Sequence, residues 1–146
     1  MNKDPRVESA RQALRIAFGV VPFLAGLDKF FNLLADWPAY LSPAARAMLP
    51  VSGQTFMDIA GVVEMVVGLA ILTRWTVLGS YVAAAWLVAI AVNLVASGRF
   101  LDVAVRDLVM ATAAWALARL SEAGESTLAA VPIETKQDRP GVGKVA

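Results

Sequence analysis

The sequence predicts an all-α membrane protein: a four-transmembrane-helix antiparallel bundle with a short interfacial segment between helices 1 and 2. Three observations predict it. Of the 146 residues, 58% are hydrophobic and only 17% are charged, where soluble domains carry about 25% charge. The apolar residues gather in four blocks, 16–34, 56–72, 77–96 and 101–120. Each is 17–20 residues long, close to the roughly 20 that cross a hydrocarbon core. None has the period-two alternation of a barrel strand, so helices are expected to satisfy the backbone in lipid.

The elements follow in order. Asp4 followed by Pro5 is an N-cap with proline at the first helical position, so a helix is expected from Pro5 into the first block. Gly19, Pro22, Gly26 and Lys29 fall on one stripe of that helix. The connection 35–54 holds Trp37, Pro38, Tyr40, Pro43 and Pro50, and 43–49 reads as a short interfacial helix. This connection is either a loop anchored by aromatics at headgroup level or a cap over a pocket. Thr55 and Asp58 resemble a capping box at the start of the second span. Gly61, Glu64, Met65 and Gly68 share a stripe of that span. The connection 73–76 is so short that the second and third spans form an antiparallel hairpin. Gly98 closes the third. A cleaved leader fits the first block poorly, because the basic residues begin well before the apolar run and that run is as long as a full span. Residues 1–120 are expected to form the membrane domain and 121–146 a disordered cytoplasmic tail.

The composition excludes whole classes of chemistry. With no Cys and no His, disulfides, thiol catalysis, iron–sulfur clusters, Cys- or His-bound metal and His-ligated haem are not expected. The net charge of +1 argues against a nucleic-acid partner. Four spans put both termini on one side, with nine basic residues against four (Lys29, Arg46, Arg99, Arg106) on the other. The positive-inside rule then places the termini in the cytoplasm. Trp37 and Trp75 fall at opposite interfaces, as belt residues do.

The candidate site is polar and lies in the outer half. Asp28 and Lys29 come about 7–9 Å before the outer end of the first span, Glu64 about 12 Å deep in the second, Asn93 about 5 Å from the end of the third, and Arg106 and Asp107 about 7–9 Å into the fourth. Small residues mark the faces that pack on neighbouring helices, so Glu64 and Lys29 are expected to point inward. A bare carboxylate in hydrocarbon costs several kcal/mol and pairs or protonates. Lys29 and Arg106 are the available cations, and Glu64, the deepest acid, is the best candidate for a protonated group or a relay. The plainer readings are that Lys29 and Arg106 snorkel, that Asp58 is a cap, that Asp107 only neutralises Arg106, that Asn93 is cross-helix glue, and that Trp86 and Trp115 are packing residues.

Arg15-Ile-Ala-Phe-Gly19 with Gly26-Leu-Asp-Lys29, Gly61-Val-Val-Glu64-Met-Val-Val-Gly68 followed by Leu72-Thr-Arg74, and Val105-Arg106-Asp107-Leu108 resemble, in that order, the helices of the DoxX-like family. The resemblance spans roughly residues 10–120. It implies a four-helix bundle in the bacterial cytoplasmic membrane, in a family that includes subunits of thiosulfate:quinone oxidoreductase and organisers of membrane redox complexes.

Three functions are therefore open. The first is a membrane subunit or scaffold of a quinone-linked redox complex, with Lys29, Glu64, Asn93, Arg106, Asp107 and Asp28 lining a pocket for a quinone or lipid-like ligand. It has no catalytic motif of its own, and a partner supplies the electron carrier. The second is a small proton-coupled transporter using Glu64. The third is a structural interaction protein whose polar groups fix helix register. The expected partners are the bilayer, an oxidoreductase subunit and further copies of the chain. The residues leave the cofactor unknown: a quinone is one candidate, and neither haem nor metal is expected.

Overall fold

The structure, a computed structural model, describes residues 4–129, with side chains to 124. It contains α1 (Pro5–Asp28), a 3-10 turn (Trp37–Tyr40), α2 (Pro43–Met48), α3 (Gly53–Leu72), α4 (Thr76–Ser97) and α5 (Leu101–Ala129), with no strand among the described residues. Three of these helices, α1, α3 and α4, are long and apolar enough to cross a membrane. α5 is longer still, but each stretch of 18 residues within it holds at least three of its charged groups, among them Asp102, Arg106, Asp107 and Arg119.

Local signals set most boundaries. The Asp4 carboxylate accepts from the Arg6 amide at 2.9 Å and starts α1. Gly98, at φ 65°, ends α4 in the left-handed region that glycine enters freely. Two boundaries differ from expectation. α3 starts at Gly53, because the Ser52 hydroxyl accepts from the Thr55 amide at 3.1 Å. Thr55 is therefore the third residue of the helix rather than its cap. Asp58 accepts from the Gln54 side chain at 2.8 Å instead of closing a capping box. α1 stops at Asp28, whose carboxylate accepts from the amides of Leu33 and Leu34 at 3.2 and 3.0 Å and turns the chain out of the helix. The first apolar block is therefore not helical to its end at residue 34. The polar tail expected from Ser121 begins inside α5, which continues to Ala129. The rest of that tail lies outside the described residues.

α1 lies along α3, α4 lies along α5, α3 meets α4 through their short turn, and α1 also touches α5. The α1–α3 contact is backbone on backbone. A Cβ on Gly26 would run into the Gly61 carbonyl, one on Gly61 into the Gly26 carbonyl, and one on Gly68 into the Gly19 carbonyl. Close approach through small residues is how helices pack where water supplies no driving force.

The interior divides into two apolar clusters. Phe18, Ile71, Ala83, Ala114 and Leu117 fill the end near the α3–α4 turn. Ala91, Leu94 and Ala104, with Tyr40 and Phe100 against them, fill the other. Large apolar side chains such as Val20, Val66, Val92 and Val109 face outward, the arrangement of a protein whose solvent is lipid. At the α3–α4 turn, the Arg15 guanidinium donates to the carbonyls of Ile71, Leu72 and Thr73 at 3.0, 2.6 and 2.9 Å and satisfies the open end of α3. Such carbonyls have no partner within their own helix.

Candidate functional site

The buried charges sit at the end of the molecule opposite that turn. Glu64 lies midway along α3 on the Gly61–Gly68 stripe, so the glycines that bring α1 close also aim the carboxylate at α1. Lys29 stands one residue beyond α1, and its Nζ lies 2.6 Å from Glu64 Oε2. The two side chains are only 6% and 9% exposed, so this is a buried ion pair. Glu64 Oε1 accepts from the Trp86 indole N–H of α4 at 3.0 Å. One carboxylate thus joins α1, α3 and α4, with each of its oxygens occupied. A buried pair is tolerable only when its remaining lone pairs and protons are satisfied in this way.

The connection between α1 and α3 closes over the pair. The Trp37 ring lies over Lys29 with Nζ 3.8 Å from its centroid, a cation–π contact in a site largely removed from solvent. The Trp37 indole donates to Asp28 Oδ2 at 2.8 Å. Asp28 thus holds both the turn after α1 and the ring above Lys29. Asn32, at φ 51°, accepts from the Trp37 amide at 3.3 Å and donates to Gln54 Oε1 at 3.0 Å. Gln54 in turn donates to the Lys29 carbonyl at 2.9 Å. The connection thus packs over the ion pair through Trp37.

Asn93 of α4 pins the next part of the connection. Its Oδ1 accepts from the Ser42 amide at 3.0 Å, and its Nδ2 donates to the Tyr40 carbonyl at 2.8 Å. Asn93 is glue between a helix and the cap, not between two helices. Arg46 donates to the Pro38 carbonyl, and Tyr40 stacks on Phe100 with ring centroids 4.4 Å apart.

The two candidates from the last block part company. Asp107 is half-buried on the inward stripe of α5 with Ala104, Ala111 and Ala114. Arg106, one residue earlier and so about 100° round the helix, is 71% exposed and pairs at 3.5 Å with Asp102 on the outer face. The expectation that Arg106 joins the cluster is therefore corrected, and Lys29 supplies the cation that faces Glu64. Trp86 and Trp37 are the members that sequence reasoning missed. The signal for Trp86 was its indole N–H inside an apolar span, a donor that needs an acceptor there.

No group of three or more His, Cys, Asp or Glu able to hold a metal occurs among the described residues. A quinone carbonyl would need a donor; the Trp86 indole N–H and one N–H of the Lys29 ammonium are given to Glu64, and the Trp37 ring lies over that ammonium. Two concavities lie elsewhere. One, of about 590 Å³, is an apolar groove between α4 and α5 at Val88, Leu108 and Trp115. The other, of about 270 Å³, lies beside the α3–α4 turn at Arg74, Trp75 and Tyr81. Compared with known proteins, the chain matches no family model, no curated protein and no solved structure.

Proposed function

We propose that the chain is an integral membrane subunit that serves as the frame of a quinone-linked redox complex. Its four long helices cross the bacterial cytoplasmic membrane as an antiparallel bundle, with both termini in the cytoplasm. The observation that carries the frame reading is the closed state of the Lys29–Glu64–Trp86 cluster, in which each carboxylate oxygen has a donor and the cap lies over the ammonium. Such a cluster fixes three helices relative to one another and leaves neither carboxylate oxygen without a donor. A proton-coupled transporter needs an acid that loads and unloads in each cycle, which a carboxylate held by two donors suits poorly. The redox link rests on the DoxX-like order of motifs. The chain has neither Cys nor His, so the partner brings the electron carrier, and the quinone binds with the partner rather than inside the cluster.

The test is gentle purification from the native membrane, followed by native mass spectrometry and organic extraction. The expected result is co-isolation with an oxidoreductase subunit, with quinone extracted from the complex and not from the separated chain. Stoichiometric quinone on the separated chain would move the ligand site into this protein. A chain that arrives without partner and without quinone leaves the purely structural reading, which the same closed cluster also favours. Because the chain has no Cys, single cysteines placed at positions 4, 74 and 98 report sidedness by impermeant thiol labelling. Positions 4 and 74 are expected to react only from the cytoplasmic side, and 98 only from the other.

A further inference from the structure

The concavity beside the α3–α4 turn combines three features. Its cation is Arg74, an exposed guanidinium with no carboxylate partner among the described residues. Three other arginines near this end are engaged: Arg11 is paired with Glu8, Arg15 is held by three carbonyls, and Arg119 pairs with Glu122 at 2.6 Å. Its aromatic rims are Trp75, half exposed with Arg74 5.7 Å from its ring centroid, and Tyr81. The Tyr81 hydroxyl is fixed by donation to Glu122 at 2.9 Å, so the acid bordering the site is already engaged by Tyr81 and Arg119. Its wall is apolar, made by Val77 and Leu78, and leads from Arg74 along α4.

We propose that this concavity is a binding site for one anionic glycerophospholipid. The Arg74 guanidinium takes the phosphate through its forked N–H donors. Trp75 and Tyr81 flank the glycerol at the level where amphipathic rings settle, and the first part of an acyl chain lies on Val77 and Leu78. The assignment rests on the spanning reading above, since that reading puts the α3–α4 turn at a membrane face. An anionic headgroup is selected over a zwitterionic one because Glu122 already meets Tyr81 and Arg119, while Arg74, without a carboxylate partner among the described residues, has a charge to complement.

The experiment is native mass spectrometry of the purified full chain in detergent, titrated in separate arms with phosphatidylglycerol, phosphatidylcholine and inorganic phosphate. The expected result is one phosphatidylglycerol retained in preference to phosphatidylcholine, and no retained inorganic phosphate. Arg74→Gln weakens that retention about fivefold, the effect of one interfacial cation. Arg6→Gln, which removes an exposed arginine on α1, leaves it unchanged. Arg74→Lys keeps part of it, and both Arg74 variants keep the helical circular dichroism of the parent. Equal retention of the two lipids, equal retention by Arg74→Gln, or binding of inorganic phosphate alone overturns the proposal. The thiol-labelling pattern tests the spanning reading separately, because lipid retention in detergent does not depend on sidedness.

Discussion

Lys29 Nζ lies 2.6 Å from Glu64 Oε2, joining positions 35 residues apart in the chain beside the glycine crossing of α1 and α3. Removing one partner leaves the other charge buried alone, which costs about 3–5 kcal/mol in comparable sites. Glu64→Gln and Lys29→Met are each expected to destabilise by that order, read as the shift in the unfolding midpoint in mixed micelles. The double variant Lys29→Met/Glu64→Leu recovers most of the loss, because neither charge remains. Trp86→Phe removes a donor to the carboxylate and costs about 1–2 kcal/mol alone. It costs little more in the Glu64→Leu background, where no acceptor remains. A pair of additive single effects would show that the three residues do not act as one unit.

The glycine crossing predicts a steric effect that is separate from charge. Gly61→Ala places a methyl against the Gly26 carbonyl, a backbone atom that cannot rotate aside. Overpacking of this kind costs about 1–3 kcal/mol. Gly53→Ala is the control, since a Cβ there meets only Leu41 and Pro38 at 3.5 and 3.7 Å. The control is expected to stay within about 0.5 kcal/mol of the parent, and equal losses in the two variants would remove the close crossing as the cause.

Asn93→Leu keeps the branching of the side chain and deletes both of its bonds to the cap. The expected outcome is faster hydrogen exchange at the Ser42 and Ala45 amides, with exchange in α1 and α3 unchanged. Measured by exchange mass spectrometry, an unchanged 37–46 segment would mean that Asn93 does not hold the cap.

Arg106→Gln is expected to change stability by less than about 0.5 kcal/mol. The side chain is 71% exposed and its pairing with Asp102 at 3.5 Å is superficial, and such pairs contribute little. A loss comparable with that of Glu64→Gln would place Arg106 in the cluster after all.

The sequence by itself determined the helices, because their causes are local. The Asp4–Pro5 start and the Gly98 stop act within a few residues, and each appears where the sequence puts it. The glycine stripes with Glu64 and Lys29 on them were equally legible, since one helix's own periodicity defines its face. What only the tertiary structure decided was rotation and partnership. Arg106 and Asp107 are neighbours in sequence, and the turn of α5 that carries Asp107 inward carries Arg106 out. Trp86 and Trp37 become part of the site through elements that meet Glu64 and Lys29 from elsewhere in the chain. The end of α1 at Asp28 was hidden for the same reason: a carboxylate within an apolar run can continue a helix or turn the chain, and the cap that Asp28 holds decides which. Periodicity fixes a face relative to its own helix, whereas the contact between faces is set by the packing of all of them together.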